Sequence, residues 1–168
     1  IQGVNIIKSL KQSRGYQLKI GASNATGDWL LFLHADSRLD AKWADSLFKI
    51  IRKKTSKDYA WYFDFKIRKY KLEFRILEIA VGLRSYFLQK PYGDQGLLIH
   101  KDLYSLSGGF SSMKIMEDLD LITRITKHKK AKRIGQSIFT DDIKWANYNI
   151  IRRAIKNAIL RKKWRQGY

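Results

Sequence analysis

The stretch Trp29-Leu30-Leu31-Phe32-Leu33-His34-Ala35-Asp36-Ser37 decides how the chain is read. Its apolar run, Trp29–Leu33, is too short for a typical helix and follows the turn residues Gly27 and Asp28. A strand buried on both faces reads this way. An imidazole (His34) and a carboxylate (Asp36) follow at once, two residues apart. In open α/β sheets ligands gather beyond the carboxyl ends of strands. Hard divalent cations accept carboxylate oxygens there, and manganese takes imidazole as well. A turn Asp beside a core-capping His accounts for the same pair without a metal.

Outward from this strand, helical and extended patterns alternate. Residues 14–26 read as a helix stopped at Gly27, and residues 41–54 as a helix with Trp43, Leu47, Phe48, Ile50 and Ile51 on its apolar side. Tyr59, Trp61, Phe63, Phe65 and Ile67 alternate with other residues as a half-buried strand does. An amphipathic helix is expected over 71–89, a short strand at Leu97–Ile99 and a brief helix at Asp102–Ser107 closed by Gly108-Gly109. A helix over 117–129, a strand over 131–139 and a long basic helix over 146–165 complete the reading. Such alternation predicts α/β layers around a mostly parallel sheet. The organisation expected is a catalytic-type domain over 1–145 and a basic amphipathic helix over 146–168.

Composition narrows the function classes. The 168 residues contain no cysteine, which excludes disulfides, thiolate zinc sites and cysteine nucleophiles. No apolar run is longer than Trp29–Leu33, far below the roughly 20 residues of a membrane-spanning helix. No basic-then-apolar leader opens the chain, and it begins Ile-Gln-Gly, as a fragment would. The 34 Lys and Arg against 15 Asp and Glu give a net charge of +19. Partners are therefore expected to be anionic: nucleic acid, acidic lipid headgroups or phosphorylated substrates. Scattered lysine is equally the mark of a solvated surface.

Two further clusters carry chemistry. Glu117, Asp118 and Asp120 put three acids within four residues at a helix start. They read either as dipole-stabilised helix caps or as a general base able to take a proton from a hydroxyl. Gly93-Asp94-Gln95-Gly96 permits a tight turn with close backbone approach to a ligand, or is an ordinary turn.

The order of these clusters resembles a family. Ala25-Thr26-Gly27-Asp28-Trp29-Leu30-Leu31-Phe32-Leu33-His34-Ala35-Asp36-Ser37, then Gly93-Asp94-Gln95, Gly108-Gly109-Phe110 and Glu117-Asp118, is similar to the succession in family 2 glycosyltransferases of the GT-A fold. The Phe-Leu-His-Ala-Asp form resembles a bacterial subgroup associated with arsenosugar biosynthesis. The resemblance covers roughly residues 12–145. It implies a three-layer α/β/α Rossmann-like domain and metal-dependent, inverting transfer from a nucleotide-sugar donor to an acceptor hydroxyl. It further implies that Asp36 with His34 holds Mn or Mg, and that Asp118 is the general base supported by Glu117. Arg14 would meet the nucleotide, and Asp94 and Gln95 the donor sugar and acceptor side. His34 replaces the first acid of an Asp-x-Asp motif, as in the look-alike subgroup, and one departure from the family is that the nucleobase-binding βαβ unit does not precede residue 14. Lys19 also stands where the subgroup has Asn. The domain is thus expected to be truncated at its N-terminus.

Two other functions compete with this one: a non-catalytic basic module holding nucleic acid electrostatically, and an inactive glycosyltransferase remnant. The glycosyltransferase reading expects no specific nucleic acid partner. Steep salt dependence would mark the first rival. In the C-terminal segment Ile150, Ile151, Ala154, Ile155, Ala158 and Ile159 form an apolar stripe beside Arg152, Arg153, Lys156, Arg161, Lys162, Lys163 and Arg165, with Trp164 and Tyr168 suited to an interface. This segment either packs on the sheet or meets an anionic membrane, which gives a cytoplasmic location at or near the inner membrane face.

Overall fold

A computed structural model describes residues 3–140, 158–164 and 166. The fold is mixed α/β. Its elements are α1 (Arg14–Asn24), β1 (Trp29–Phe32), β2 (Arg38–Leu39), α2 (Trp43–Ile51), β3 (Ala60–Ile67), α3 (Leu72–Phe87), β4 (Leu97–His100), α4 (Lys101–Leu106), α5 (Glu117–Thr126) and β5 (Ala131–Thr140). Residues 158–164 form a further helix, α6. Short 3-10 turns cover Lys54–Asp58 and Gly93–Gln95.

The five strands lie in the order β1-β4-β3-β5-β2. The expected mostly parallel sheet is not what forms. β1–β4, β3–β4 and β2–β5 pair antiparallel, and only β3–β5 is parallel. The physical reason is β4. It enters from the Gly93–Gly96 turn, which lies beside the end of β1, and runs back along it with Phe32 opposite Leu97 and Trp29 opposite His100. β1, β3 and β5 share one direction, but β4 sits reversed between β1 and β3, and β2 is reversed at the edge. Alternation of helices and strands constrains connection lengths, not the direction of a strand inserted from a turn.

Helices cover both faces of the sheet. On one, Ala22 of α1, Leu103 of α4 and Leu119, Ile122 and Ile125 of α5 pack on Leu30, Tyr62 and Ile99. On the other, Leu47 and Ile50 of α2 meet Phe63, Leu98 and Ile138. A third cluster sets Phe74 and Val81 of α3 on Phe65 and Ile67. The β3–β5 ladder shifts register between Tyr62/Arg133 and Asp64/Ser137, leaving two extra residues on β5 in a bulge at Gly135, whose φ of +80° suits glycine.

Among the described residues, no helix is long and apolar enough to cross a membrane. Most of the expected C-terminal helix, its residues 146–157, lies outside the described residues, so the membrane-docking stripe is seen only from 158 onward. There Trp164 packs against the first core cluster, while Ile159 is exposed.

Candidate active site

The topology brings the end of β1, the turn before β4, and the starts of α1 and α5 to one edge of the sheet. Arg14, His34, Gly93 and Asp118 line a single cleft there, together with the apolar Phe32, Leu33, Pro91, Leu97, Phe110 and Ile122. The cleft measures about 50 Å³. That volume holds a reacting group or a few waters, not a whole nucleotide.

Gly93 is the point of convergence. A Cβ placed there would lie 2.9 Å from Arg14 Nη2, 3.0 Å from Asp118 Oδ2 and 3.0 Å from His34 Nε2. Three chemistry-bearing side chains therefore meet at one backbone position that admits no side chain without displacing them. Gly93 N–H also donates to Asp118 Oδ2 at 2.7 Å, and Leu119 N–H donates to Asp118 Oδ1 at 2.7 Å. The α5 start is set by Met116, which takes a left-handed conformation (φ 63°) uncommon for a non-glycine residue. Such positions cluster at functional sites.

Arg14 reaches the cleft because α1 docks tightly. Ser13 caps α1, accepting from Tyr16 N–H, and its hydroxyl donates to the Met113 carbonyl at 2.7 Å. Gly15 N–H donates to the same carbonyl at 3.2 Å. From this anchor the Arg14 guanidinium pairs with Glu117 (Nε to Oε1, 3.1 Å) and contacts His34 Nε2. A guanidinium only donates, so His34 Nε2 accepts and its proton sits on Nδ1, facing Asp36 Oδ1 at 3.9 Å.

Glu117 is almost fully buried, 1% exposed. Burial pushes its carboxyl above the ordinary 4.5; Arg14 pulls it down and Asp118 adds to the rise. Between 4.5 and the raised value the folded chain binds more protons than the unfolded one, so this group's contribution to stability is full below 4.5 and lost as pH rises. The Glu117→Gln variant, which does not titrate, is therefore expected to gain stability relative to wild type as pH rises from 4.5. Denaturant midpoints of both proteins across that range check it, and parallel curves would overturn the assignment.

Gln95, expected on the donor and acceptor side, lies elsewhere. It is buried, with Oε1 accepting from Ser85 Oγ (2.6 Å) and Arg84 Nη2 (3.2 Å) and Nε2 donating to the Phe63 carbonyl at 3.2 Å. Those bonds tie the Gly93 turn to α3 and β3, so Gln95 positions the turn and does not line the cleft. Asp94 also lies off the cleft lining; its charge faces Arg84, whose guanidinium stacks on Tyr92 at 3.7 Å. Burial lowers the Arg84 pKa, Asp94 opposes that shift, and Arg161 of α6 adds to it.

Asp36, with His34, is the position expected to hold a divalent metal. Among the described residues no group of three or more His, Asp or Glu side chains forms a cage. The donors present fit a hard cation held by one carboxylate, with substrate phosphates and waters completing its shell, which is how Mg is commonly bound. His34 Nε2 could join only when Arg14 withdraws from it.

Sequence reasoning missed Ser13 and Gly15 as residues that assemble the cleft, whereas the Gly93 turn was read as allowing close backbone approach. The Ser13-Arg14-Gly15 triplet at a helix start was a readable signal. Fold and cleft together define a mixed α/β protein with a guanidinium, an imidazole and a carboxylate gathered at one sheet edge. In comparisons with known proteins, no family model and no curated protein matches the chain.

Proposed function

We propose that the chain is the catalytic portion of a metal-dependent, inverting glycosyltransferase of the GT-A type, moving a sugar from a nucleotide-sugar donor to an acceptor hydroxyl. The observation that carries the reading is the convergence of Arg14, His34 and Asp118 on Gly93. Helices on both faces of a sheet whose β1, β3 and β5 run one way support the GT-A comparison.

In this reading Asp118 Oδ2, turned to the cleft, takes the proton of the acceptor hydroxyl as that oxygen attacks the anomeric carbon. A single base and direct displacement give inversion. Arg14, held by Glu117, brings a fixed positive charge to the donor diphosphate, and the Gly93 backbone lets the reacting groups approach. A bound Mn or Mg, held by Asp36 and then His34, would supply Lewis-acid neutralisation of the departing diphosphate.

Calorimetry with a nucleoside diphosphate and Mn, on the full-length polypeptide that carries these residues, tests the metal assignment. Binding is expected to require the metal and to be abolished in Asp36→Ala. Unchanged binding in that variant would remove Asp36 from the site. One observation favours a second reading, the inactive remnant: both Asp118 oxygens accept backbone N–H groups, which a structural helix-start tie also does.

A further inference from the structure

α3 is built the wrong way round for a helix that belongs wholly to the core. Its buried side carries Phe74, Glu78, Val81 and Ser85. Its outer side carries Leu72, Ile76, Ile79, Leu83, Tyr86 and Phe87, each more than half exposed, and exposed Leu88 follows. At helical spacing these six positions fall within a stripe about 100° wide, the width of an ordinary core-facing stripe. The polar residues that point inward are satisfied. Glu78 accepts from Ile67 N–H at 2.8 Å and pairs with Lys66 and Arg75, and Ser85 donates to the Val81 carbonyl and to Gln95. The inward face is thus fixed by specific bonds, and the outward apolar face is a consequence the sequence maintains over the whole helix.

What covers such a face is decided by charge. Arg68, Lys69 and Lys71 are exposed just before α3, and Tyr70 stands exposed among them. Lys66 and Arg133 line the groove that Ile79, Leu83, Tyr86 and Phe87 share with the sheet, but there they pair with Glu78 and Asp64, so the positive rim rests on the exposed Arg68 and Lys69. On the helix itself the only exposed acid is Glu73, which pairs with Lys71 at 3.6 Å. A second copy would bring another +19 against this rim. Nucleic acid would match the cations but offers aliphatic side chains nothing to bury in. An acidic lipid surface offers both: headgroup phosphates for the rim and an acyl boundary for the stripe, with tyrosines at the interface.

We propose that α3 is a membrane-docking helix that lies in the plane of an anionic bilayer, its Leu72–Phe87 stripe sunk below the headgroups. The proposal rests on α3 alone and does not depend on the catalytic reading.

Co-sedimentation of the full chain with phosphatidylcholine vesicles, alone or with about a third phosphatidylglycerol, tests it. Binding is expected to the acidic vesicles only. Because a chain of this charge can adsorb electrostatically, the decisive variant is Ile76→Ser/Phe87→Ser, which leaves the charge unchanged at two exposed positions. Its partitioning is expected to fall about tenfold or more with an unaltered thermal midpoint. The chain has no cysteine, so Ile76→Cys and Leu106→Cys each carry one environment-sensitive fluorophore. A blue shift on acidic vesicles is expected at 76 and not at 106. Equal binding by the serine variant, equal shifts at both positions, or a lipid-free dimer that the serine variant abolishes would each overturn the proposal.

Discussion

On the proposed glycosyltransferase reading, Asp118→Asn is expected to lower glycosyl transfer about a hundredfold or more while leaving donor binding nearly intact. The asparagine is isosteric and keeps one oxygen, so it can still accept from Leu119 N–H or from Gly93 N–H, which now share the carboxylate at 2.7 Å each. One of those two bonds is lost, at about 1 kcal/mol. For a chain of this size that corresponds to a fall of roughly 2–4 °C in thermal midpoint. The proton acceptor, in contrast, disappears entirely. Turnover and stability therefore separate: a large loss of rate beside a small loss of midpoint makes Asp118 the base. A loss of stability with no selective loss of turnover makes it a helix-start tie and favours the inactive remnant. Steady-state kinetics, donor calorimetry and a thermal melt on the same preparation distinguish the two.

The part of this site that was legible in the sequence is the part that is local. The apolar run Trp29–Leu33 followed by His34 and Asp36 predicts a strand and a polar strand end, and β1 forms at Trp29–Phe32 with those residues beyond it. The acids at 117 and 118 predict a helix start, and α5 begins at Glu117. Arg14 was expected just before or at a helix, and it opens α1. The direction of β4 was not legible. Leu97–His100 is the same apolar run whichever way it lies, and its pairing with β1 is set by where the Gly93 turn delivers it.

Gln95 shows the same limit at a single residue. A Gln beside an Asp in a glycine-flanked turn reads as ligand-facing, yet burial against Ser85, Arg84 and Phe63 turns it inward. For α3, periodicity announces an apolar stripe. It does not say which side meets the sheet, because Phe74 and Val81 make the opposite side apolar as well. The bonds of Glu78 and Ser85 decide the question, and those partners come from β3 and the Gly93 turn.

Two glycines on α1 put the docking of that helix to a direct test. Gly15→Ala and Gly21→Ala make the same chemical change in one helix, and both replace glycine by the best helix former, a gain of roughly 1 kcal/mol in an exposed helix interior. Gly21 is exposed and a Cβ there meets nothing within 4 Å, so Gly21→Ala is expected to stabilise the chain by somewhat less than that amount. At Gly15 the same Cβ would lie 2.1 Å from the Ser111 carbonyl oxygen, 2.9 Å from that of Met113 and 3.1 Å from Glu117 Cβ. Two of these neighbours are backbone and cannot rotate aside, so the α1 start must retreat from residues 111–117. Retreat weakens the Ser13 and Gly15 bonds to the Met113 carbonyl and draws Arg14 from Glu117. A cost of about 3 kcal/mol, the upper end for overpacking, outweighs the helix-propensity gain. The expected results have opposite signs: a lower denaturant midpoint for Gly15→Ala and a higher one for Gly21→Ala. Nucleoside diphosphate binding should weaken only in the first, because Arg14 leaves the cleft with its helix. Parallel behaviour of the two variants would mean that α1 does not dock on the α5 start, and the cleft would lose the residue that joins its two halves.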